Sequence, residues 1–494
     1  MAIAVQQDDS HDCLSSGRPV GPRRSLRPCG VIMTAAPLMA ANRSAKFYRA
    51  AWRWHFYAGL FVVPFFLVLA VTGMMMLWIA HLDGRDGERI PVTPQGQTTS
   101  LNLQTAVAIA SVPDGQPVQY VAPRAPGLAA IFRIDGPDGQ QTVAVDPYTA
   151  QVVTSFPRQA GWYDLADGIH SSLLLGVTGD RMLEIAASLG VVLLATGLYL
   201  WWPRQGGIVR AMIPNLAARG RALWRSLHGV VGIWISVVLM FFLVSGLAWS
   251  GVWGEKLTQA WSTFPAAKWD AVPLSDATHG SRNDGPKQVA WALEQTPLPA
   301  SGSAAGAVGI AEGQPVTIDS VDALARHIGF DGRYQLILPK GDTGVWTLTR
   351  DSMNSDSLNP TRDRTVHVDQ YTGRILADVG FADYSWAGKA MAVGIALHMG
   401  TLGLWSVLAN TAFCLAVIFL CVSGVVLWWK RRPVGQWRLA PPPMPADMPL
   451  WRGAVVLACV IGVAFPMAGV AMAAAIAIDR LILARIPAFR RVFG

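Results

Sequence analysis

Long apolar runs alternate with long polar segments along this chain of 494 residues. Four runs, at residues 52–80, 181–202, 224–250 and 404–429, are each long enough for one helix to cross a bilayer, which takes about 20 apolar residues. A fifth run, at 453–478, is interrupted by Pro466 and has basic residues at both ends, so its sequence leaves open whether it crosses or folds back. The pattern predicts a mainly α-helical integral membrane protein built on a four-helix bundle, with one further apolar helix at the C-terminus.

The composition agrees with this prediction, because 52% of the residues are hydrophobic and only 15% are charged. The net charge of +8 comes from basic clusters directly beside the apolar runs, around Arg49, Arg221 and Arg431. Basic residues at the ends of membrane helices favour the cytoplasmic side, so the excess charge needs no nucleic acid as a partner. We therefore expect the N-terminus and the basic ends in the cytoplasm, both long polar segments outside, and lipid around the helices.

The five cysteines lie in the N-terminal 30 residues or in apolar runs, and none lies in a long polar segment. The sequence contains neither CxxC nor CxxCH, which argues against an iron–sulfur cluster and against covalently attached haem. A disulfide framework is not expected either.

These patterns divide the chain into successive segments. We expect a disordered cytoplasmic tail at 1–42 (or a working start near Met33 or Met39), and a cytoplasmic loop at 204–222 and at 430–450. The first and third membrane helices are expected at 43–81 and 223–250. External α+β domains are expected at 82–160 and 251–385, each followed by a short external helix and a returning membrane helix, at 161–203 and 386–429. Residues 451–494 hold the C-terminal apolar helix and a basic tail.

The two external segments contain similar sequences, VAVDPYTAQVV at 143–153 and VHVDQYTGRIL at 366–376. Both alternate apolar and polar residues around a turn, so each predicts a β-hairpin in which Asp146 or Asp369 is a turn residue. A short helical candidate precedes each hairpin, at 101–111 and at 320–328.

The similarity extends to the membrane helices, so the chain is an internal repeat. In the first helix, a histidine is followed 17 residues later by a hydroxyl residue and glycine, and the third helix repeats this spacing: His55 with Thr72-Gly73, and His228 with Ser245-Gly246. The second and fourth helices share a hydroxyl residue and glycine four residues before Trp-Trp, at Thr196-Gly197 and Ser423-Gly424. The Trp-Trp pairs follow His170 and His398 by 31 and 30 residues. The repeating unit is therefore a helix outward, a small α+β domain and a helix back.

On these hairpins and this order of elements, the chain resembles the PepSY-associated transmembrane family. Within it, the chain is similar to the di-haem inner-membrane ferric-siderophore reductases of the ferrioxamine-reductase type. The resemblance covers about residues 43–432. It implies PepSY-like external domains, a bacterial inner membrane, two non-covalent b-type haems, and electron transfer to a ferric siderophore. Ala150 stands where the family's hairpin usually has glycine, and Gln370 where it has proline, which affects the turns and not the histidines.

Four histidines are the candidate haem ligands. His55 and His228 begin the outward helices, whereas His170 and His398 precede the returning helices, so each pair lies at one level of the membrane. Because a bis-imidazole haem takes one ligand from each side, we pair His55 with His228 and His170 with His398. The alternative is that all four are interfacial histidines that bond to backbone carbonyls.

The glycines of the repeat are the other candidate cofactor contacts. A separation of 18 residues is about 27 Å of helix, which places Gly73 and Gly246 near the level of the His170/His398 pair. The same reasoning places Gly197 and Gly424 near the level of His55 and His228. A flat porphyrin needs small residues where its edge meets a helix, although small residues also favour helix–helix contact.

The remaining histidines carry no such pattern. His81 ends the first helix without a counterpart in the repeat and is expected at the membrane interface, and His11 lies in the tail. His279, His327 and His367 lie in the external segments without ligand spacing, and we expect them in contact with solvent.

Two functions of different classes remain. The first is a haem-dependent ferric-siderophore reductase that takes electrons from an external donor, a cytoplasmic reductant or a quinol. The sequence offers no GxGxxG unit for its own nicotinamide or flavin, and no GxSxG or HExxH in a suitable context. The second is a non-enzymatic, membrane-anchored PepSY module that binds or inhibits partner proteins. A siderophore permease is a weaker third reading, because neither half has central charges or broken helices.

Overall fold

The computed structural model describes residues 35–85, 87–283, 288–432, 439, 442, 452–478 and 481, with side chains from residue 45 onward. Most of the expected tail at 1–42 and of the loop at 430–450 therefore lies outside the described residues. The part of the tail that is described, from Ala35, is the beginning of the first helix and not an irregular segment.

Eleven α-helices occur in the described residues: α1 Ala35–Leu82, α2 Leu101–Ala110, α3 Trp162–Ser172, α4 Val177–Trp201, α5 Ile208–Ala211, α6 Gly220–Leu247, α7 Ile318–His327, α8 Trp386–Met399, α9 Leu404–Trp429, α10 Arg452–Ala464 and α11 Pro466–Ile478. Four of them are long and apolar enough to cross a membrane: α1 (from Ala45), α4, α6 and α9. Between 22% and 33% of their apolar windows is buried inside the protein, so most of this surface is left for lipid. The four predicted membrane helices are confirmed.

The described part of the chain also contains ten strands: β1 Gln116–Val121, β2 Ala130–Gly136, β3 Gly139–Asp146, β4 Gln151–Pro157, β5 Leu274–Thr278, β6 Pro297–Pro299, β7 Gln335–Ile337, β8 Val345–Arg350, β9 Arg364–Asp369 and β10 Ile375–Gly380. Eight form one antiparallel sheet in the order β10-β9-β8-β7-β1-β2-β3-β4. The sheet lies at the end of the bundle where α1 and α6 finish and α4 and α9 begin, which we call the sheet end.

Both predicted hairpins are present, as β3–β4 and β9–β10. Asp146 accepts a hydrogen bond from the Tyr148 N–H at 2.9 Å, and Asp369 accepts one from the Tyr371 N–H at 2.8 Å, so both are turn residues as expected. Ala150 takes a left-handed φ of +51°, close to the +67° of Gly373 at the equivalent place. The turn therefore keeps its shape although alanine replaces the usual glycine.

The two long polar segments do not form the two separate small domains that the internal repeat predicts. The short strand β7 pairs with β1, which joins the two halves into one continuous sheet. Helices α2 and α7 cover the same face, around a core that includes Phe132 and Leu348. The Leu101 N–H at the start of α2 donates to Asp319 in α7 at 2.6 Å, so the two halves are also joined through their helices.

The C-terminal apolar run forms two helices and not the single helix that we expected. Helices α10 and α11 have 13 residues each and meet at Phe465, because proline at the first position of α11 cannot continue the hydrogen-bond ladder of α10. They pack together where Gly462 faces Gly469, a contact that leaves no room for a Cβ atom. The tip of this hairpin contacts Trp253 beyond the sheet end of α6, whose indole N–H donates to the Ala464 carbonyl at 2.9 Å. The run therefore folds back.

Candidate functional site

Each of the four candidate histidines contacts the hydroxyl of a threonine or serine on another helix. The Nδ1 to hydroxyl oxygen distances are 3.0 Å for His55 and Thr196, 2.9 Å for His170 and Thr72, 2.7 Å for His228 and Ser423, and 2.7 Å for His398 and Ser245. The partners are the four hydroxyl residues that stand before glycine in the internal repeat. The repeat is thus a set of histidine–hydroxyl pairs between helices.

The hydroxyl groups fix which ring nitrogen carries the proton. Each hydroxyl donates to a carbonyl of its own helix, at distances of 2.7 Å for Thr72, 2.7 Å for Thr196, 2.8 Å for Ser245 and 3.1 Å for Ser423. A hydroxyl has one proton to donate, so its oxygen must accept from the imidazole Nδ1–H. Each neutral histidine therefore keeps an unprotonated Nε2, the form that binds a metal.

The glycine after each hydroxyl residue lies against the imidazole itself. A Cβ atom added at Gly73 or Gly197 would lie 3.2 Å from Cε1 of His170 or His55. At Gly246 and Gly424 the corresponding distance, to His398 and His228, is 3.7 Å. The structure thus places all four glycines at the predicted levels. For Gly73 and Gly197 it adds an immediate reason for their size, since a Cβ atom there would come closer to the histidine ring than ordinary van der Waals contact.

The four pairs lie at two ends of the bundle, in the combinations expected. His55 and His228 stand near the starts of the membrane-spanning parts of α1 and α6, whereas His170 in α3 and His398 in α8 stand directly before α4 and α9. The first two lie at the end away from the sheet, and the other two at the sheet end. Helices α1 and α6 each carry a histidine for one level and a hydroxyl–glycine pair for the other.

The two histidines at the sheet end are held by short helices that pack tightly on the bundle. Gly179 of α4 approaches the Ser172 carbonyl at the end of α3 so closely that a Cβ atom would be 1.7 Å away. On the other side, the Asn410 side chain in α9 donates to the backbone carbonyls of Leu397 and His398 at 2.8 and 3.1 Å. Both contacts fix the position of a histidine relative to a membrane helix.

Aromatic side chains surround the sites. The Phe242 ring lies 4.7 Å from that of His398 and stacks on Phe413 at 4.3 Å. At the other end, the Arg431 guanidinium lies 5.0 and 5.2 Å from the rings of Trp52 and Phe56, which flank His55 in α1. In the described part of the chain, no three His, Cys, Asp or Glu side chains converge as a metal site. A haem with two axial imidazoles requires only two such ligands.

His279 and His367 are buried, and the expectation that solvent surrounds them is wrong. Their Nε2 atoms lie 2.8 Å apart, and His279 Nδ1 lies 2.7 Å from the Thr296 carbonyl. The Thr347 hydroxyl contacts His367 Nδ1 at 2.9 Å and accepts a bond from Arg282 at 2.8 Å. With both imidazoles neutral, all of these contacts are satisfied as a chain of hydrogen bonds. Arg282 donates to Thr347, Thr347 to His367, His367 to His279, and His279 to the Thr296 carbonyl.

The reason for this error lies in the second face of the sheet. Residues 264–283 and 288–293 cover β9 and β10 with a second apolar core that includes Trp269 and Leu293, so residues that alternate outward in β9 are also buried. Burial lowers the pKa of His279 to about 4 and that of His367 well below its ordinary value. His327, by contrast, is exposed as predicted.

The architecture is that of an integral membrane protein whose helical bundle carries one large extramembrane sheet. The sequence matches the family model of the PepSY-associated TM region over residues 52–431, which includes all four histidine–hydroxyl pairs. The chain belongs to this family. No curated protein matches it.

Proposed function

We propose that the protein is a di-haem b-type oxidoreductase of the bacterial inner membrane that passes electrons to a ferric siderophore on the periplasmic side. The observation that carries this proposal is the set of four histidines whose Nδ1–H is held by a hydroxyl and whose Nε2 is left for a ligand. A hydrogen bond from Nδ1–H to a fixed acceptor orients an imidazole and increases its basicity as a metal ligand. The four histidines have equivalent hydrogen-bond partners. Interfacial histidines with unrelated roles would not need such a match.

The residues fit two non-covalent haems with bis-imidazole ligation. His55 and His228 would hold one haem, and His170 and His398 the other, while Gly73, Gly197, Gly246 and Gly424 keep space at the rings. Bound haem iron would supply one-electron redox chemistry. The chain contributes the ligand geometry, the apolar surroundings, and two pairs of ligands near opposite ends of the apolar part of the bundle.

In this proposal the N-terminus and the basic helix ends are cytoplasmic, so His55 and His228 lie towards the electron donor. The donor is external, a cytoplasmic reductant or a quinol. The ferric siderophore receives the electron at the sheet end, near His170 and His398. Reduction of Fe(III) to Fe(II) weakens binding by the hard oxygen ligands of a siderophore, because these ligands favour the higher charge.

The alternative function, a membrane-anchored module that binds periplasmic proteins, gives no role to the histidines. Polar side chains inside a membrane are costly and mark functional positions. An anchor needs only apolar helices, whereas this bundle contains four matched histidine–hydroxyl pairs. The pairs therefore favour the electron conduit.

A single experiment separates the two functions. The protein, purified in detergent from cells with ample haem supply, is reduced with dithionite under anaerobic conditions and then mixed with a ferric hydroxamate. We expect b-type absorption bands on reduction and their reoxidation by the ferric chelate, but not by the redox-inert gallium chelate. Colourless protein would rule out the oxidoreductase, and bands that the ferric chelate does not reoxidise would rule out this substrate.

A further inference from the structure

Two acidic side chains, Asp351 and Asp363, are buried side by side between the sheet and the bundle. They are 4% and 3% exposed. The Asp363 carboxyl accepts hydrogen bonds from the backbone N–H and the hydroxyl of Ser352, at 2.8 and 2.9 Å. Asp351 precedes that serine and accepts a bond from the Met353 N–H at 2.8 Å. One residue thus connects both acids.

Neither acid forms an ion pair with a basic side chain in the described residues. Their acidic neighbour Asp356 has such a partner, Arg333, at 2.9 Å. Buried carboxylates need a cation or a proton, because the charged form loses the stabilisation of water. With no cation paired to either group, protonation is the remaining way to hold the two acids together.

A small cavity lies between these acids and the helix that carries His398. Asp351 and Asp363 line it, together with Trp291, Tyr384 and two residues of α8, Ala392 and Ile395. Within the described residues, the Tyr384 hydroxyl and the Trp291 indole N–H have no hydrogen-bond partner, although these side chains are only 5% and 7% exposed. A water molecule that accepts from both and donates to both carboxyl groups would make four hydrogen bonds, within the range of two to four that buried waters make.

We propose that Asp351 and Asp363 form a proton-binding site that takes up one proton when the haem at His170 and His398 is reduced and releases it when the electron leaves. This inference rests on the proposed function for its redox partner. The proton comes from solvent water and converts a carboxylate into a carboxylic acid. The electron comes from the external donor, so one positive and one negative charge enter together and leave together.

The arrangement of α8 couples the two sites. Ile395 lines the cavity, and His398 follows three residues later, about 4.5 Å further along the helix axis. Trp291 and Met353 also pack against Ile395 in one apolar cluster. In such apolar surroundings a unit charge acts strongly over several ångströms, so an electron added at the haem raises the affinity of the acids for a proton.

The other charged groups around the pair do not alter this conclusion. Arg85 and Asp356 act on Asp351 with opposite sign, and Asp356 also acts on Asp363. Arg350 acts on Asp363 from β8, and Asp383 acts on Tyr384 from the turn before α8. Burial remains the largest influence on both groups, and together with the charge of the neighbouring acid it raises the pKa of Asp351 and that of Asp363. The pair therefore binds a proton more readily than two carboxyl groups in water would.

The test is a redox titration of both haems in the purified full-length protein between pH 5.5 and 8.5, with infrared difference spectra of the reduced and oxidised states. We expect the potential of the His170/His398 haem to fall with rising pH, by up to about 59 mV for a tenfold change in proton concentration. Asp351→Asn and Asp363→Asn should each flatten this dependence, and the other haem should keep its own. Asp342→Asn, at an exposed acid, is the matched control and should behave as wild type.

The infrared spectra keep the inference falsifiable if a substitution disturbs folding. A carboxylic-acid C=O band should gain intensity on reduction, disappear in Asp363→Asn, and shift in Tyr384→Phe, which changes no charge. An unchanged band in all variants, or an equal pH dependence in wild type and both asparagine variants, would overturn the proton site. Protein without haem would instead refute the proposed function and with it the redox coupling, whereas the pH dependence of the band would still show whether the acids bind a proton.

Discussion

Ser245 Oγ lies 2.7 Å from His398 Nδ1 and at the same time donates its proton to the Phe241 carbonyl at 2.8 Å. The serine therefore accepts from the histidine and leaves Nε2 unprotonated. The same relationship recurs between Thr72 and His170, which approach the sheet-end level from the other half of the repeat. Four small hydroxyl residues thus determine the chemical state of four histidines.

The first prediction concerns this hydrogen bond. Ser245→Ala removes the acceptor of His398 Nδ1–H and leaves an unpaired polar group at an imidazole that should bind iron. We expect the affinity for the sheet-end haem to fall 10- to 100-fold, which is the usual effect of removing the hydrogen-bond partner of a ligating histidine. Haem transfer to excess apomyoglobin measures it. Ser245→Thr keeps a hydroxyl and should behave as wild type; equal transfer rates for alanine and threonine would contradict the assigned role.

The second prediction compares two glycines at the same level. A Cβ atom at Gly73 would lie 3.2 Å from His170 Cε1, closer than ordinary van der Waals contact, whereas one at Gly246 would lie 3.7 Å from His398 Cε1. Gly73→Ala should therefore displace its histidine and perturb the electron paramagnetic resonance of the sheet-end haem. Gly246→Ala should leave that spectrum almost unchanged. A larger effect of Gly246→Ala than of Gly73→Ala would show that the rings do not sit as described.

The third prediction concerns acid stability. Burial lowers the pKa of His279 to about 4, against about 6.5 in an unfolded chain. The neutral form therefore favours the folded state above pH 6.5, and this contribution, on the order of 3 kcal/mol, is lost as the pH falls from 6.5 through 4. The protection factors of the β8 and β9 amides, which are hydrogen-exchange rates corrected for the intrinsic effect of pH, should fall over this range.

Two variants check the origin of that acid sensitivity. His279→Gln removes one titrating group of the buried pair and should make the protection factors of the β8 and β9 amides less dependent on pH. His327→Gln, at an exposed histidine, should leave the wild-type dependence in place. Identical pH profiles for wild type and His279→Gln would place the acid sensitivity elsewhere in the sheet.

Much of the architecture was predictable because it depends on local patterns. Apolar length defines the four membrane helices, and alternation around an Asp-x-Tyr-Thr turn defines both hairpins. The internal repeat placed Thr72 and Ser245 beside Gly73 and Gly246 at the correct level. It did not reveal that the hydroxyl groups, and not the glycines alone, contact the histidines.

The remaining features of the fold depend on contacts between distant segments, which the local sequence pattern does not predict. The pairing of β1 with β7 joins the two halves through only three residue pairs, and nothing in Gln335–Ile337 distinguishes it from a loop. The buried His279–His367 pair exists because a long irregular segment covers the second face of the sheet. The acids Asp351 and Asp363 meet because the irregular connection between β8 and β9 brings Ser352 against Asp363.

The central claim is that the four histidines hold two haems in two level pairs. The most direct measurement is the haem content, together with the low-spin bis-imidazole signal in the near-infrared magnetic circular dichroism, of wild type and two double variants. We predict two such haems per chain in wild type and one in His55→Ala/His228→Ala, which removes both ligands of a single haem. We predict none in His55→Ala/His398→Ala, which removes one ligand from each. Wild-type protein without haem, or a bis-imidazole haem that survives in His55→Ala/His398→Ala, would contradict the account.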